Sequence, residues 1–128
     1  MKYYFSRTVT LSFEDAVEKV IAELKKEGFG VLTDIDVKQT LKKKLNVDFK
    51  QYRILGACNP PFAYKALQIE DKIGTMLPCN VIVQEIDERK VEVAVIDPVA
   101  SMQAVANPEL KDIAEQVQGK LKKVIENI

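Results

Sequence analysis

No histidine occurs among the 128 residues, and that absence excludes more chemistry than any other. Without imidazole there is no Ser-His or Cys-His pair, no histidine general base and no histidine metal ligand. An excess of one charge is also missing. Lys plus Arg and Asp plus Glu stand at 19 each, so no broad positive field gathers phosphates, and nucleic acid is not an expected partner. No run approaches the roughly 20 consecutive apolar residues needed to cross a bilayer. Met1 to Thr10 alternates polar and apolar side chains and leads straight into a charged helical pattern, unlike a signal peptide. A membrane is therefore not an expected partner either. Cysteine is scarce, with two residues, Cys58 and Cys79. Without an export signal they read as reduced thiols of a cytoplasmic protein, not as a disulfide framework.

What is present points to an ordinary globular core. Apolar residues make up 47% and charged residues 30% of the chain, a balance that folds unaided, and the length suits one domain over residues 1–128. Tyr3, Phe5, Val9 and Leu11 alternate, which predicts a strand over Lys2 to Thr10. Ser12 offers an N-cap to a helix carrying Val17, Val20, Ile21 and Leu24 on one stripe, and Gly28 supplies its C-terminal cap. Gly30 opens a second strand with Val31, Thr33, Ile35 and Val37 alternating. A short helix follows, with Leu41 and Leu45 expected inward and Lys42, Lys43 and Lys44 as its solvated face.

Tyr52 to Ala57 reads as a third strand running into Cys58-Asn59-Pro60-Pro61. Asn as cap and Pro at the first helical position predict a helix from Pro60 to about Asp71. Val81 to Ile86 and Lys90 to Ile96 form a hairpin about Asp87-Glu88-Arg89. Residues 97–107 read as an irregular loop. After Asn107-Pro108-Glu109, the stripe Leu110, Ile113, Ala114, Val117, Leu121, Val124 and Ile125 marks an amphipathic helix that needs a sheet to cover it. The expected fold is α+β, a mostly antiparallel sheet of about five strands with the first and last helices on one face and shorter connecting helices.

Chemistry is concentrated between Tyr52 and Val83. Cys58 precedes an Asn cap, where free backbone amides and a helix dipole favour a thiolate or an anion. Cys79 precedes a strand inside Leu77-Pro78-Cys79-Asn80. The competing reading makes both cysteines small buried hydrophobes. Their separation is not that of a thioredoxin-type pair, though a reversible disulfide forms if their Cα atoms approach within about 7 Å. Two thiolates fall short of the four ligands usual for structural zinc, so no metal is expected, and no cofactor motif is identified. Asp34 and Asp36 lack a partner motif and read as solvated surface, while Gly28-Phe29-Gly30 reads as turn chemistry.

Gly56-Ala57-Cys58-Asn59-Pro60-Pro61-Phe62-Ala63, then Ala66-Leu67, Ile73-Gly74 and Leu77-Pro78-Cys79-Asn80-Val81, together resemble the signature of the domain of unknown function 302 family, over nearly the whole chain. The resemblance implies a compact α+β fold of bacteria and archaea, often a stand-alone dimer, with no established reaction, cofactor or catalytic residue. Cys58, Asn59, Pro60, Ala63, Leu67, Leu77, Pro78 and Cys79 are the positions that carry over. Three functions stay open. The first is a pocket for a small anionic or thiol-reactive ligand, walled by Cys58, Asn59 and Pro60 and by Pro78, Cys79 and Asn80. The second is a thiol redox enzyme with Cys58 and Cys79 as candidate catalytic residues, and the third a homodimeric interaction protein without chemistry.

Overall fold

A computed structural model of the chain describes residues 2–128. Five runs of β-rich sequence become β1 (Tyr4–Val9), β2 (Gly30–Asp36), β3 (Tyr52–Cys58), β4 (Cys79–Asp87) and β5 (Lys90–Ile96). They form one sheet in the order β1-β5-β4-β3-β2, with every neighbouring pair antiparallel. Alternation sends Leu55 and Ala57 of β3, Val81 and Val83 of β4, and Val91, Val93 and Val95 of β5 to one face, where all are buried.

That face is covered by the two helices with the strongest apolar stripes, α1 (Phe13–Lys26) and α5 (Glu109–Glu126). Ser12 caps α1 by accepting from the Asp15 amide at 3.2 Å. Gly28, at φ 86°, takes the left-handed conformation that ends the helix. Phe13, Ala16, Val17, Val20 and Leu24 of α1 interlock with the strand valines and with Val117, Leu121 and Val124 of α5 in the main core. Each such aliphatic side chain contributes about 1.5–3 kcal/mol on burial. The α+β class and the packing of first and last helices on one face are thus as the sequence predicts.

The shorter elements depart from expectation in three places. In α2 (Val37–Leu45) no residue is buried, and Leu45, expected inward, is 66% exposed. The helix is started by Asp36, which accepts from the Gln39 amide at 2.9 Å. Next, α3 (Pro60–Ile69) stops two residues before Asp71, where Glu70 turns to extended backbone and Asp71–Met76 winds as a 3₁₀ turn. Finally, the stretch 97–107 is ordered: α4 (Pro98–Ser101) and a 3₁₀ turn, Met102–Ala104, are started by the Asp97 carboxylate. It accepts from the Val99 amide and from Gln118 Nε2, each at 3.0 Å. A second small core, Ala66, Ile73 and Leu110, joins α3 and its 3₁₀ turn to the start of α5.

Gly56 is fixed by a close approach. A Cβ at this position would overlap Thr33 Oγ1 and lie 2.7 Å from Pro78 Cγ, so β2 and the turn before β4 both close over a bare backbone. Gly56→Ala is expected to lower the unfolding free energy by about 1–3 kcal/mol through overpacking. In urea melts, adding Thr33→Ala should recover part of that loss. Equal stabilities for wild type and Gly56→Ala would show that the close approach relaxes freely.

Candidate functional site

The cysteine region is built by the register of β3 against β4. Ala57 lies opposite Cys79 and Gly56 opposite Asn80, so Cys58 stands one residue beyond the last pair, where the chain leaves the sheet for α3. Cys79 shares the inward face with Ala57 and is 8% exposed; Cys58, at the strand end, is half-buried. Both are free thiols. They line one small, partly open cavity of about 40 Å³ formed by the strand ends, α3, the α4 region and α5. Phe29, Phe62, Met102 and Val117 are among its apolar walls, and no Lys, Arg, Asp or Glu takes part.

The six residues expected at the site do not all meet. Cys58, Asn59, Pro78 and Cys79 line the cavity. Pro60 stands at the first turn of α3 and is not in the lining. Asn80, one step along β4 from Cys79, faces the other side of the sheet, where it borders a shallow groove with Tyr4, Tyr52 and Ile82. Alternation along β4 separates it from Cys79.

Asn59 holds the N-cap position of α3, yet its side chain makes no cap hydrogen bond. Its Nδ2 instead donates to the Glu27 carbonyl at 3.2 Å, joining the start of α3 to the end of α1. A Cβ on Gly28 would come within 3.1 Å of that nitrogen, so glycine there serves both the left-handed turn and the Asn59 contact. Removing the acceptor from an amide as buried as this one costs about 1–3 kcal/mol.

The amides at the α3 N-terminus are correspondingly few. Pro60 and Pro61 have none, and that of Ala63 is taken by the Asn59 carbonyl at 3.0 Å, leaving those of Asn59 and Phe62. The same prolines that start the helix thus strip it of the donors that an anion would use. Burial, and secondarily the charge of the neighbouring Cys58, push the Cys79 thiol up to about 11, so it is protonated at neutral pH.

The remaining acidic candidates are occupied by structure. Asp34 receives the Arg53 guanidinium, with Nε at 2.7 Å, and that hydrogen bond holds its carboxyl below the usual range. Asp36 caps α2. Among the described residues no three Cys, Asp or Glu side chains gather as a metal site. The cavity walls from α5 and Phe29 are missed by sequence reasoning, because Ile113, Ala114 and Val117 belong to the same stripe as the core and carry no separate signal.

Fold and site define a class: an α+β protein whose five-stranded antiparallel sheet, covered on one face, ends in a small apolar chamber bearing two free thiols. A family model, Domain of unknown function DUF302, matches residues 5–128, and the chain belongs to that family. A similar solved structure is the crystal structure of an uncharacterized conserved protein DUF302 from Bacillus stearothermophilus, 26% identical, with a TM-score of 0.91 over 99% of this chain and 98% of that one. No curated protein matches the chain.

Cys79 makes stability fall at alkaline pH. Its folded pKa of about 11 lies above the 9.0 of a free thiol, so the unfolded chain releases this proton first. The contribution is complete below pH 9 and is lost as pH rises from about 9 to 11, amounting to about 2–3 kcal/mol. Denaturant melts across this window should show that loss in wild type and a smaller one in Cys79→Ala. Parallel pH profiles for the two proteins would rule it out.

Proposed function

We propose that the chain is a binding protein for a small, uncharged, thiol-reactive molecule that enters beneath α3 and meets Cys58. The observation that carries this reading is the convergence of both thiols on one apolar cavity. The absence of charged side chains from the lining, with the scarcity of amides at the α3 N-terminus, favours a neutral soft ligand over an anion. Cys58 is the accessible sulfur; Cys79, protonated and buried, serves as wall.

The cavity is far smaller than the roughly 300–1,000 Å³ of ordinary ligand pockets, so a larger ligand needs one wall to move. Of the two long helices in the lining, α3 is held by the fewer buried side chains, Ala66 alone, against seven buried residues in α5. Methyl methanethiosulfonate tests the reading: the Cys58 thiolate attacks its sulfenyl sulfur, forming the methyl disulfide and releasing methanesulfinate. The small adduct is expected on Cys58 before Cys79 by mass spectrometry, with Tm unchanged or raised. A bulky cationic methanethiosulfonate should react at least tenfold more slowly. Equal rates for both reagents, or an unreactive Cys58, would remove the reading.

A second reading, self-association, is favoured by the uncovered sheet face. Tyr4, Ile96, Ala94, Ile82 and Ile54 stand on neighbouring strands of that face. Glu92 in its midst is held by Gln84 Nε2 at 2.8 Å. A flat, weakly charged, partly apolar face is what a second copy covers in an isologous dimer. Light scattering at micromolar concentration should give twice the chain mass for wild type and a monomer for Ile82→Glu; a monomeric wild type would sink it.

A further inference from the structure

The segment 37–50, comprising α2 and the turn that returns to β3, joins exposed apolar side chains to a run of lysines. It contributes no buried side chain to either core. Leu45, Val47 and Phe49 stand 66%, 43% and 39% exposed, although nothing in the turn's hydrogen bonding requires apolar residues there. In a chain of zero net charge, this one segment carries Lys38, Lys42, Lys43, Lys44 and Lys50 against the single carboxylate of Asp48.

The nearby acidic groups are already engaged. Asp48 pairs with Lys42 at 3.3 Å, Asp36 caps the helix and Asp34 binds Arg53. Lys43 and Lys44 make no ion pair among the described residues. Lys38 Nζ donates to the Phe49 carbonyl at 2.8 Å, which ties the apolar turn to the basic helix, so the two move as one surface.

A solvated face accounts for the lysines when the leucines point inward, but Leu45 does not. Exposed leucine, valine and phenylalanine interleaved with lysine are the composition of a segment that lies in a lipid interface, apolar tips among acyl chains and ammonium groups at the phosphates. Two features favour lipid over a protein partner. The basic residues are all lysine, a point charge suited to a diffuse anionic surface, where protein recognition favours the forked contacts of arginine. The groove between α2 and the turn is lined by Asp36, Lys38, Gln39, Lys42 and Asp48 beside the apolar Val47 and Phe49, so it offers no apolar socket for a partner's anchor residue.

We propose that residues 37–50 dock this protein peripherally on an anionic lipid surface, Lys43 and Lys44 contacting headgroup phosphates and Leu45, Val47 and Phe49 entering the interface. The inference is independent of the thiol cavity. Its test is co-sedimentation of the full chain with vesicles of phosphatidylcholine alone and of phosphatidylcholine mixed with phosphatidylglycerol. At least tenfold more protein should sediment with the anionic vesicles, falling several-fold in high salt. Lys43→Glu with Lys44→Glu should abolish that binding, and Leu45→Ser with Phe49→Ser should weaken it at least fivefold; circular dichroism should show both pairs folded, since none of the four is buried. Equal sedimentation with neutral vesicles, or none with either, overturns the proposal. Binding that survives the serine pair marks a plain polyanion site and overturns it as well. So does a dimer that these substitutions dissociate, since the surface then belongs to a second copy.

Discussion

The antiparallel register that sets Ala57 against Cys79 is the constraint on which the thiol region depends. A slip of one residue would carry Cys79 to the uncovered face and bring Asn80 into the core, since side chains alternate strictly along a strand. Gly56 bears on that register from within: a side chain there would collide with Thr33 on one flank and Pro78 on the other. The buried valines of β4 and β5 then fix it energetically, because a one-residue slip exposes Val81 and Val83 together. Cavity and core are thus two products of one pairing.

Around that register, residues with ordinary local preferences are put to unusual use. Asparagine before Pro-Pro is a helix-starting signal, yet Asn59 spends its amide on the Glu27 carbonyl. Proline at the first two positions needs no amide partner and so frees Asn59 from capping. The arrangement ties together the ends of two helices far apart in sequence and leaves the start of α3 poor in donors. An apolar chamber beside a half-buried thiol is the consequence, in place of the anion cradle that such a junction commonly makes.

Much of the fold is legible in the sequence because its elements each obey one period. Alternation marks β1 and β2, β-rich runs mark the other three strands, the stripe of α5 is unbroken, and Ser12 and Gly28 sit where helix ends demand them. Failures occur where local signal and tertiary use part company. Leu41 and Leu45 have core spacing but join neither core, because α2 packs at β2 and β3 and not beside α1 and α5. The order in 97–107 rests on Asp97, which caps α4 at the Val99 amide and also accepts from Gln118, 21 residues away, a contact that no local pattern announces. The Cys58 and Cys79 junctions were visible as unusual sequence; that they share a chamber depends on strand pairing, and its walls from α5 are written in the same letters as the core.

The chamber lies where the main core, through Ala57 and Cys79, faces the small cluster that includes Ala66. Two hydrophobic clusters that each pack well have left a seam between them, and a seam is lost volume. Hydrostatic pressure favours whichever state occupies less space, and voids of this kind contribute tens of millilitres per mole to the volume change of unfolding. Compression therefore bears on the seam between α3 and the strand ends, the place that also carries the two thiols.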